Sequence, residues 1–361
     1  MTGLRDPTNT SLQNAESTFM GEVASSVNML AAGKPTVTVI MIVVAIALSG
    51  VTVAGLATAR HKHHDPPANN PPPASHVVEI VLENAATATV LSSAPYQAYL
   101  AATYAQATHF YAACHYSYPD YAAMTSGRYF ACGNASIPIQ GVTNLADLID
   151  QGNLTWAAYF ESMSSPCQLA SAGSYVSYHN PFILYKDIRY NTSRCDGHVV
   201  NSAAFNSSVA NDSLPSFSYY VPNIYDDCYK SSMAFCDNWL KNFLSPILNS
   251  TSPAVQKLVA STVFLIVYDE GEESGSAFDS GYSADHSHVN TWCKNTTGTA
   301  LSACGGLTYA VAVSPWSAKL HYDTNASDYD LQSTVEWILK LGSDGGWDGS
   351  SAFPAMTGLF K

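Results

Sequence analysis

The feature that most constrains this fold is a series of short apolar runs, separated by helical patterns, that begins near His76. The run Thr262–Tyr268 reads TVFLIVY and is apolar along nearly its whole length. A strand with one face in water alternates apolar and polar residues, whereas a strand covered on both faces does not. This run therefore predicts a central strand in a sheet that carries helices on both sides.

Further apolar runs and helical patterns extend the same prediction along the chain. Strands are predicted at Val77–Leu82, Leu154–Phe160, Phe217–Val221 and Leu307–Val313. Helices are predicted at Ser92–Thr108, Thr143–Gln151, Ser231–Leu248 and Ser327–Leu341. At the start of the last helix, Ser327 and Asp330 have the spacing of a capping box. Strands that alternate with helices predict an α/β fold, a three-layer α/β/α sandwich around a mostly parallel sheet.

An uncharged apolar segment at Thr36–Ala57 is long enough to cross a bilayer. It divides the chain into a polar segment at 1–35, the segment itself at 36–57, a Pro-rich linker at 58–75 and a globular domain at 76–361. A cleaved signal peptide is the alternative, because Ala-Thr-Ala precedes Arg60. The long polar stretch before the segment is atypical of a signal peptide, so we favour a retained N-terminal transmembrane helix that anchors the protein to a membrane.

The eight cysteines and the glycosylation sequons indicate an oxidising, extracellular location for the large domain. An even number of cysteines in one region is typical of disulfides, and no CxxC or CxxH pair supports zinc instead. Short spacings suggest the pairs Cys114–Cys132, Cys167–Cys195, Cys228–Cys236 and Cys293–Cys304. Sequons in the domain begin at Asn134, Asn153, Asn191, Asn206, Asn211, Asn249, Asn295 and Asn325.

The positive charges beside the apolar segment favour the opposite orientation, with the large domain in the cytoplasm. Arg60 and Lys62 follow it, and positive residues tend to stay in the cytoplasm. We give more weight to the cysteines and sequons, because the charge difference is small and long domains cross membranes regardless of it.

Overall charge excludes one class of partner. Charged residues make up 12% of the chain and the formal net charge is −13, without a basic stripe. Nucleic-acid binding requires clustered Lys and Arg, so we expect none. The sequence does not specify self-association.

Carboxylates and an amide follow three of the predicted strands. These residues are Glu83, Asn84, Asp226, Asp227, Asp269 and Glu270. In a parallel sheet the carboxyl ends of the strands meet at one edge, where ligands bind. Oxygen ligands from several loops are what a cation site for phosphoryl chemistry requires. A lone acidic loop would more often be solvated surface.

Six segments in order carry a family resemblance. They are IVLENAA, HYSYPDYAAMTSG, the HNPF stretch from Tyr178 to Cys195, FSYYVPN, VYDEGE and the helix Tyr329–Leu341. The chain resembles the phosphoesterase family of acid phosphatases and bacterial phospholipases C, within the alkaline-phosphatase-like superfamily. The most specific segment is HYSYPDYAAMTSG, which is similar to the family's H-P-S-L-P-N-Y-x-x-x-T-S-G. This resemblance implies an alkaline-phosphatase-like fold and hydrolysis of phosphate esters.

The resemblance also implies roles for individual residues. Ser117 stands at the nucleophile position and Asp120 at a neighbouring catalytic position. The implied metal ligands are Glu83, Asn84, Asp226, Asp227, Asp269, Glu270 and Asp328. A separate argument supports Ser117: Pro119 suits the first turn of a helix, so Ser117 would lie at a helix N-terminus, where amides and the helix dipole stabilise a phosphate. Without the resemblance, Ser117 would more often be a simple N-cap.

Several positions depart from the family pattern. Asp226, Leu307 and Asp328 stand where the family has His, and Asp120 replaces Asn. One interpretation is decay into a surface glycoprotein with a structural or binding role in the cell envelope. The other is adaptation, because carboxylate ligands favour Mg, Mn or Ca over Zn. Carboxylates also stay deprotonated, and so able to bind metal, at lower pH than imidazole, which predicts a phosphatase that works outside the cell in acid.

Overall fold

The computed structural model describes residues 70–113, 117–128, 130, 138–271, 305–319, 321–343 and 353–361. All of them lie within the unit His64–Lys361. The predicted transmembrane segment at 36–57 falls outside these residues. Among the helices that are described, none is both long enough and apolar enough to cross a membrane.

The described residues form one mixed sheet. Its strands are β1 (His76–Leu82), β2 (Ala105–Tyr111), β3 (Trp156–Phe160), β4 (Val199–Asn201), β5 (Phe217–Val221), β6 (Thr262–Tyr268), β7 (Leu307–Val313), β8 (His321–Tyr322) and β9 (Ala326–Ser327). The order across the sheet is β4-β3-β5-β1-β6-β7-β2-β8, and β9 also pairs with β2. Only β7 among these strands runs antiparallel to its neighbours, β6 and β2. The predicted mostly parallel sheet is confirmed.

Helices cover both faces of the sheet, as predicted. They are α1 (Thr87–Ser93), α2 (Pro95–Thr103), α3 (Ser117–Ser126), α4 (Leu145–Gln151), α5 (Lys186–Arg189), α6 (Thr192–His198), α7 (Ala203–Ala210), α8 (Met233–Leu248), α9 (Pro253–Val259) and α10 (Asp328–Leu339). Short 3₁₀ turns lie at Ser177–His179, Pro181–Leu184 and Thr357–Leu359. One apolar core joins the sheet to α3, α4, α5, α6 and α10, and a second joins it to α1, α2, α7, α8 and α9.

Strand β1 carries apolar residues on both of its faces. Val77 and Val81 enter the first core, while Val78 and Ile80 enter the second, and all four are fully buried. Successive side chains of a strand point to opposite faces, so a strand between two helical layers needs apolar residues at every position. Glu79 is the exception within this strand, and it is also fully buried.

The predicted helix Ser92–Thr108 is wrong in its last five residues. The chain leaves α2 at Tyr104, whose backbone is extended, and β2 begins at Ala105. The Ala-rich sequence favours a helix locally. Pairing with β7 and burial of Ala105 and Ala107 within the first core override that preference.

Two of the four predicted disulfides are confirmed, Cys167–Cys195 and Cys228–Cys236. The cysteines of the pairs Cys114–Cys132 and Cys293–Cys304 lie outside the described residues. The predicted capping box of α10 is also confirmed, because the Ser327 amide and hydroxyl both donate to Asp330 Oδ2, at 2.8 and 2.7 Å.

Candidate active site

The site lies at the carboxyl edge of three adjacent parallel strands, β5, β1 and β6. Backbone hydrogen bonds join their loops: the Glu83 amide donates to the Asp227 carbonyl at 2.8 Å, and the Asp269 amide donates to the Leu82 carbonyl at 2.9 Å. The Ala85 amide donates to the Glu270 carbonyl at 2.9 Å. These bonds continue the parallel register beyond the strands, so residues that are 144 to 187 positions apart become neighbours.

Ser117 is the first residue of α3 and faces these loops. Its Oγ donates to Glu83 Oε2 at 2.9 Å and lies 3.5 Å from Glu270 Oε1. The side chain is nearly buried, with 7% exposed, while Glu83 is fully buried. A hydroxyl at a helix N-terminus, beside a carboxylate, is placed where a phosphate group would find backbone amides and a proton acceptor.

Asn84 ties the two acidic loops together. Its backbone, at φ 48°, lies in the left-handed region, which Asn tolerates better than most residues. The backbone amide donates to Asp269 Oδ1 at 3.0 Å. With its side-chain nitrogen facing the carboxylates, Asn84 donates to Glu83 Oε2 at 3.0 Å and to Glu270 Oε1 at 3.2 Å. The opposite orientation would turn an amide oxygen toward the carboxyl oxygens, an arrangement that a cation or a protonated carboxyl group would stabilise.

His179 belongs to the same cluster, although the sequence analysis did not select it. Its Nε2 lies 3.1 Å from Glu83 Oε1 and its Nδ1 lies 3.3 Å from Asp227 Oδ2, and all three side chains are buried. Its ring stacks on Tyr121, with centroids 5.3 Å apart. The sequence signal that could have pointed to His179 is its place in the HNPF stretch, which resembles a family segment but was given no site residue.

Burial governs the protonation of this cluster. It raises the pKa of Glu83 well above 4.5, and neighbouring Asp269, Asp227 and Glu270 raise it further. Burial raises the pKa of Asp269 in the same way, followed by the charge of Glu270. Burial also lowers the pKa of His179 to about 3. Without a compensating cation, Glu83, Asp269 and His179 therefore favour their uncharged forms.

Asp328 and Asp120 form a second acidic pair. Asp328 begins α10, and its Oδ2 accepts a hydrogen bond from the Ala113 amide at 2.7 Å. Burial raises the pKa of Asp328 well above its usual value, while a hydrogen bond from Asp120 acts in the opposite direction. Both carboxyl groups are fully buried. Asp120 lies in the first turn of α3, one turn from Ser117.

Asp226 lies in a different environment from Asp227. Its Oδ2 accepts a short hydrogen bond from Asn223 Nδ2. It also contributes to the raised pKa of Glu161. The structure thus directs Asp226 toward Asn223 and Glu161, whereas Asp227 faces His179. The other predicted ligands, Glu83, Asn84, Asp269 and Glu270, come together around Ser117.

The donor atoms of the cluster around Ser117 decide whether it suits a divalent cation. In the part of the chain that the structure describes, no three His, Cys, Asp or Glu side chains surround a metal position as they stand. The donors are nevertheless hard oxygens, and the buried atoms Asp269 Oδ2 and Asp328 Oδ1 have no hydrogen-bond partner. Carboxylate oxygens of this kind suit Mg, Mn or Ca. The chemistry therefore fits a hard cation, whose binding would draw these side chains together.

Comparison with known proteins identifies the class of this fold and site. The model of the phosphoesterase family matches residues 81–341. The chain therefore belongs to the phosphoesterase family.

Individual relatives were found among phosphatases. A probable acid phosphatase of Kluyveromyces lactis is 32% identical over 179 residues, which cover 46% of this chain and 41% of that protein. An acid phosphatase of Aspergillus fumigatus is 30% identical over 45% of this chain and 37% of that protein. The match thus spans less than half the length of these two relatives.

Two further similarities are more distant. A phosphatidylinositol-3-phosphatase of Mycobacterium tuberculosis is 27% identical over 56% of this chain and 66% of that protein. Among solved structures, a protein of the alkaline phosphatase superfamily from Vibrio parahaemolyticus has a TM-score of 0.49 and 13% identity, covering 76% of this chain and 68% of that chain.

Proposed function

We propose that this protein hydrolyses phosphate esters, in the manner of an acid phosphatase, with Ser117 as the nucleophile. One observation carries the proposal: Ser117 Oγ lies 2.9 Å from Glu83 Oε2 at the start of a ten-residue helix. The helix N-terminus supplies amides and a positive dipole end for phosphate oxygens. Family membership and the two acid phosphatase relatives support the same reaction.

In the proposed reaction, Ser117 Oγ forms a bond to phosphorus as the bond from phosphorus to the leaving oxygen breaks. Ionised Glu83 accepts the Ser117 proton at Oε2 along the existing hydrogen bond, and the leaving oxygen takes a proton from solvent. His179 lies against the other oxygen of Glu83, and Asp227 lies against the opposite nitrogen of the His179 ring, so the two side chains limit the rotation of Glu83. Water then cleaves the phosphoseryl group to release phosphate and restore Ser117.

A divalent cation held by Ser117, Glu83, Asn84, Asp269 and Glu270 would neutralise phosphate charge during this reaction. We infer Mg, Mn or Ca in preference to Zn, because the ligands are oxygens. Asp227, beside His179, and Asp328, beside the Ala113 amide, each remain candidate ligands for a second cation, whereas Asp226 is turned toward Glu161.

The test uses purified protein, phenyl phosphate and a panel of divalent metals from pH 4 to pH 8. We expect hydrolysis by the wild-type protein and a loss on the order of a thousandfold or more in Ser117→Ala. The matched control is Ser126→Ala, a buried serine of the same helix whose Oγ donates to the Ala122 carbonyl at 2.7 Å. Equal activity in Ser117→Ala and wild type would refute the role of Ser117. An inactive wild type would favour the structural or envelope role.

We further propose that the domain works outside the cell in acid. Burial raises the pKa of Glu79 to about 8 and those of Glu161 and Asp330 to about 7. Buried carboxyl groups of this kind keep their protons in acid and cost stability as they ionise. Phosphatase activity that peaks at neutral pH and vanishes near pH 4 would oppose this proposal.

An extracellular, membrane-anchored location is proposed on separate grounds. Support comes from the two disulfides and from exposed sequons at Asn153, Asn211 and Asn249. Asn153 and Asn211 lie in segments that enter β3 and β5, and Asn249 follows α8 at the same end of the sheet. Glycans at these three positions would lie at the edge of the sheet opposite the candidate active site. A mass shift after enzymatic deglycosylation, and digestion by protease added outside intact cells, would test this.

A further inference from the structure

Two tyrosines from separate loops meet His179 with their rings nearly perpendicular to it. The centroid of Tyr178 lies 4.6 Å from that of His179 at 86°, and the centroid of Tyr229 lies 6.1 Å from it at 80°. Tyr121 occupies a different side of the imidazole, since its ring is nearly parallel at 5°. His179 is therefore bordered by three aromatic rings.

The two tyrosines lie beside the acidic cluster. Burial, together with the charges of Tyr229, Glu83 and Asp227, raises the pKa of Tyr178 to about 12. The Tyr229 amide donates to Asp227 Oδ1 at 2.8 Å.

The same tyrosines also reach the protein surface. Tyr229 is 41% exposed and Tyr178 is half-buried, whereas Glu83 and Asp227 are fully buried. The pair thus extends from the buried oxygens to solvent. We call Tyr178 and Tyr229 the tyrosine rim.

We propose that the tyrosine rim receives the leaving group of the phosphate ester and selects uncharged, ring-shaped groups, aryl groups in particular. This proposal rests on the proposed function. An aromatic ring offers a large apolar face and prefers offset or edge-to-face contact with another ring. A small alkyl group has no such face to bury. The net charge of −13 also disfavours leaving groups that carry further negative charge.

A purely structural role makes a different prediction. If the tyrosines only pack His179, their loss should weaken the hydrolysis of every ester alike. If they contact the leaving group, their loss should weaken the hydrolysis of aryl esters selectively. The ratio of kcat/KM for an aryl ester to kcat/KM for an alkyl ester therefore distinguishes the two roles.

The experiment compares phenyl phosphate with glycerol 2-phosphate in wild type, Tyr229→Ala, Tyr229→Phe and the control Tyr190→Ala. Tyr190 is 70% exposed and lies at the end of α5. We expect Tyr229→Ala to lower kcat/KM for phenyl phosphate about fivefold, mainly through KM, and that for glycerol 2-phosphate less than about twofold. Tyr190→Ala should stay near wild type, and Tyr229→Phe, which keeps the ring, should retain the preference for phenyl phosphate over glycerol 2-phosphate. Parallel losses on both substrates, or no loss on either, would overturn the proposal.

A binding measurement separates this proposal from the proposed function. Phenylphosphonate and methylphosphonate are not hydrolysed, so calorimetry with both ligands does not depend on turnover. We expect wild type to bind phenylphosphonate more tightly and Tyr229→Ala to lose that preference. Equal affinities in wild type would reject the tyrosine rim even if phosphatase activity is present. A preference in a wild type without activity would retain the rim and reject the hydrolase.

Discussion

Glu161 and Asn223 are joined by two hydrogen bonds, from the backbone N and the side-chain Nδ2 of Asn223 to Glu161 Oε2, both at 3.1 Å. The other oxygen of Glu161 accepts from the Tyr220 hydroxyl at 3.0 Å and from Trp239 Nε1 at 3.2 Å. The Asn223 carbonyl then accepts from the Asp227 amide at 2.9 Å. Glu161 therefore holds the loop that carries Asp227 to His179.

Glu161→Gln should loosen this loop and lower activity. A glutamine has one acceptor oxygen, so its amide nitrogen would face donors and at least one pair of hydrogen bonds would be lost. We expect a loss of about 2 kcal/mol in unfolding free energy and about tenfold in kcat, with metal affinity reduced as well. Urea unfolding, kinetics and metal titration measure these effects. The control Asp212→Asn removes only an exposed contact with Lys257 and should be neutral. Unchanged kcat in Glu161→Gln would contradict the link to Asp227.

The buried carboxyl group of Glu79 should make the unfolding free energy depend on pH. Both of its carboxylate oxygens lack hydrogen-bond partners, and burial raises its pKa from the ordinary 4.5 to about 8. Since the unfolded chain releases this proton first, stability is fully present below about pH 4.5 and falls up to about pH 8. The slope from this one group is at most about 1.4 kcal/mol per pH unit.

Glu79→Gln should remove much of that slope, because glutamine resembles the protonated side chain and does not ionise. We expect the variant to match wild type at pH 5 and to exceed it at pH 8. Urea unfolding at pH 5, 6, 7 and 8 provides the measurement. A wild type that grows more stable between pH 5 and pH 8, with the variant following it in parallel, would show that Glu79 is not responsible for a pH effect.

Asp237, in α8, caps the N-terminus of α2. Its two oxygens accept hydrogen bonds from the amides of Tyr96 and Gln97, both at 3.0 Å, in the first turn of α2. Asp237→Ala should leave both amides without partners and lower the unfolding free energy by about 2–3 kcal/mol. Activity per folded molecule should be retained, because the helix lies on the face of the second core. Thermal unfolding compared with the exposed control Asp196→Ala tests this, and equal melting temperatures would exclude the cap.

Divalent metal should stabilise the fold independently of activity. Burial and the charge of Asp269 raise the pKa of Glu83, and burial and the charge of Glu270 raise that of Asp269, so a bound cation would relieve both burial and repulsion. We expect Mg or Mn to raise Tm and a chelator to lower it, by an amount that grows with metal concentration. In Asp269→Asn the shift should shrink, whereas in the Asp212→Asn control it should not. An equal shift in all three proteins would place the metal elsewhere.

Strands at the centre of the sheet could be predicted from the sequence because burial on both faces leaves an uninterrupted apolar run. Strands β5, β6 and β7 have the predicted bounds, Phe217–Val221, Thr262–Tyr268 and Leu307–Val313. The acidic residues that follow β1, β5 and β6 could be predicted as well, since the carboxyl ends of parallel neighbours meet at one edge. Strand β2 was not predicted because its alanines favour a helix until β7 pairs with them.

Side-chain direction was decided only by the tertiary structure. Asp226 and Asp227 are adjacent in sequence, yet one faces Glu161 and the other faces His179, because the hydrogen bonds of Asn223 set the turn between them. His179 reaches Glu83 across 96 positions of sequence. The apolar pattern of a strand and the residues that follow its carboxyl end can be read from a short stretch of sequence. A contact between two loops depends on the packing of all the elements beneath them, and no local window contains that information.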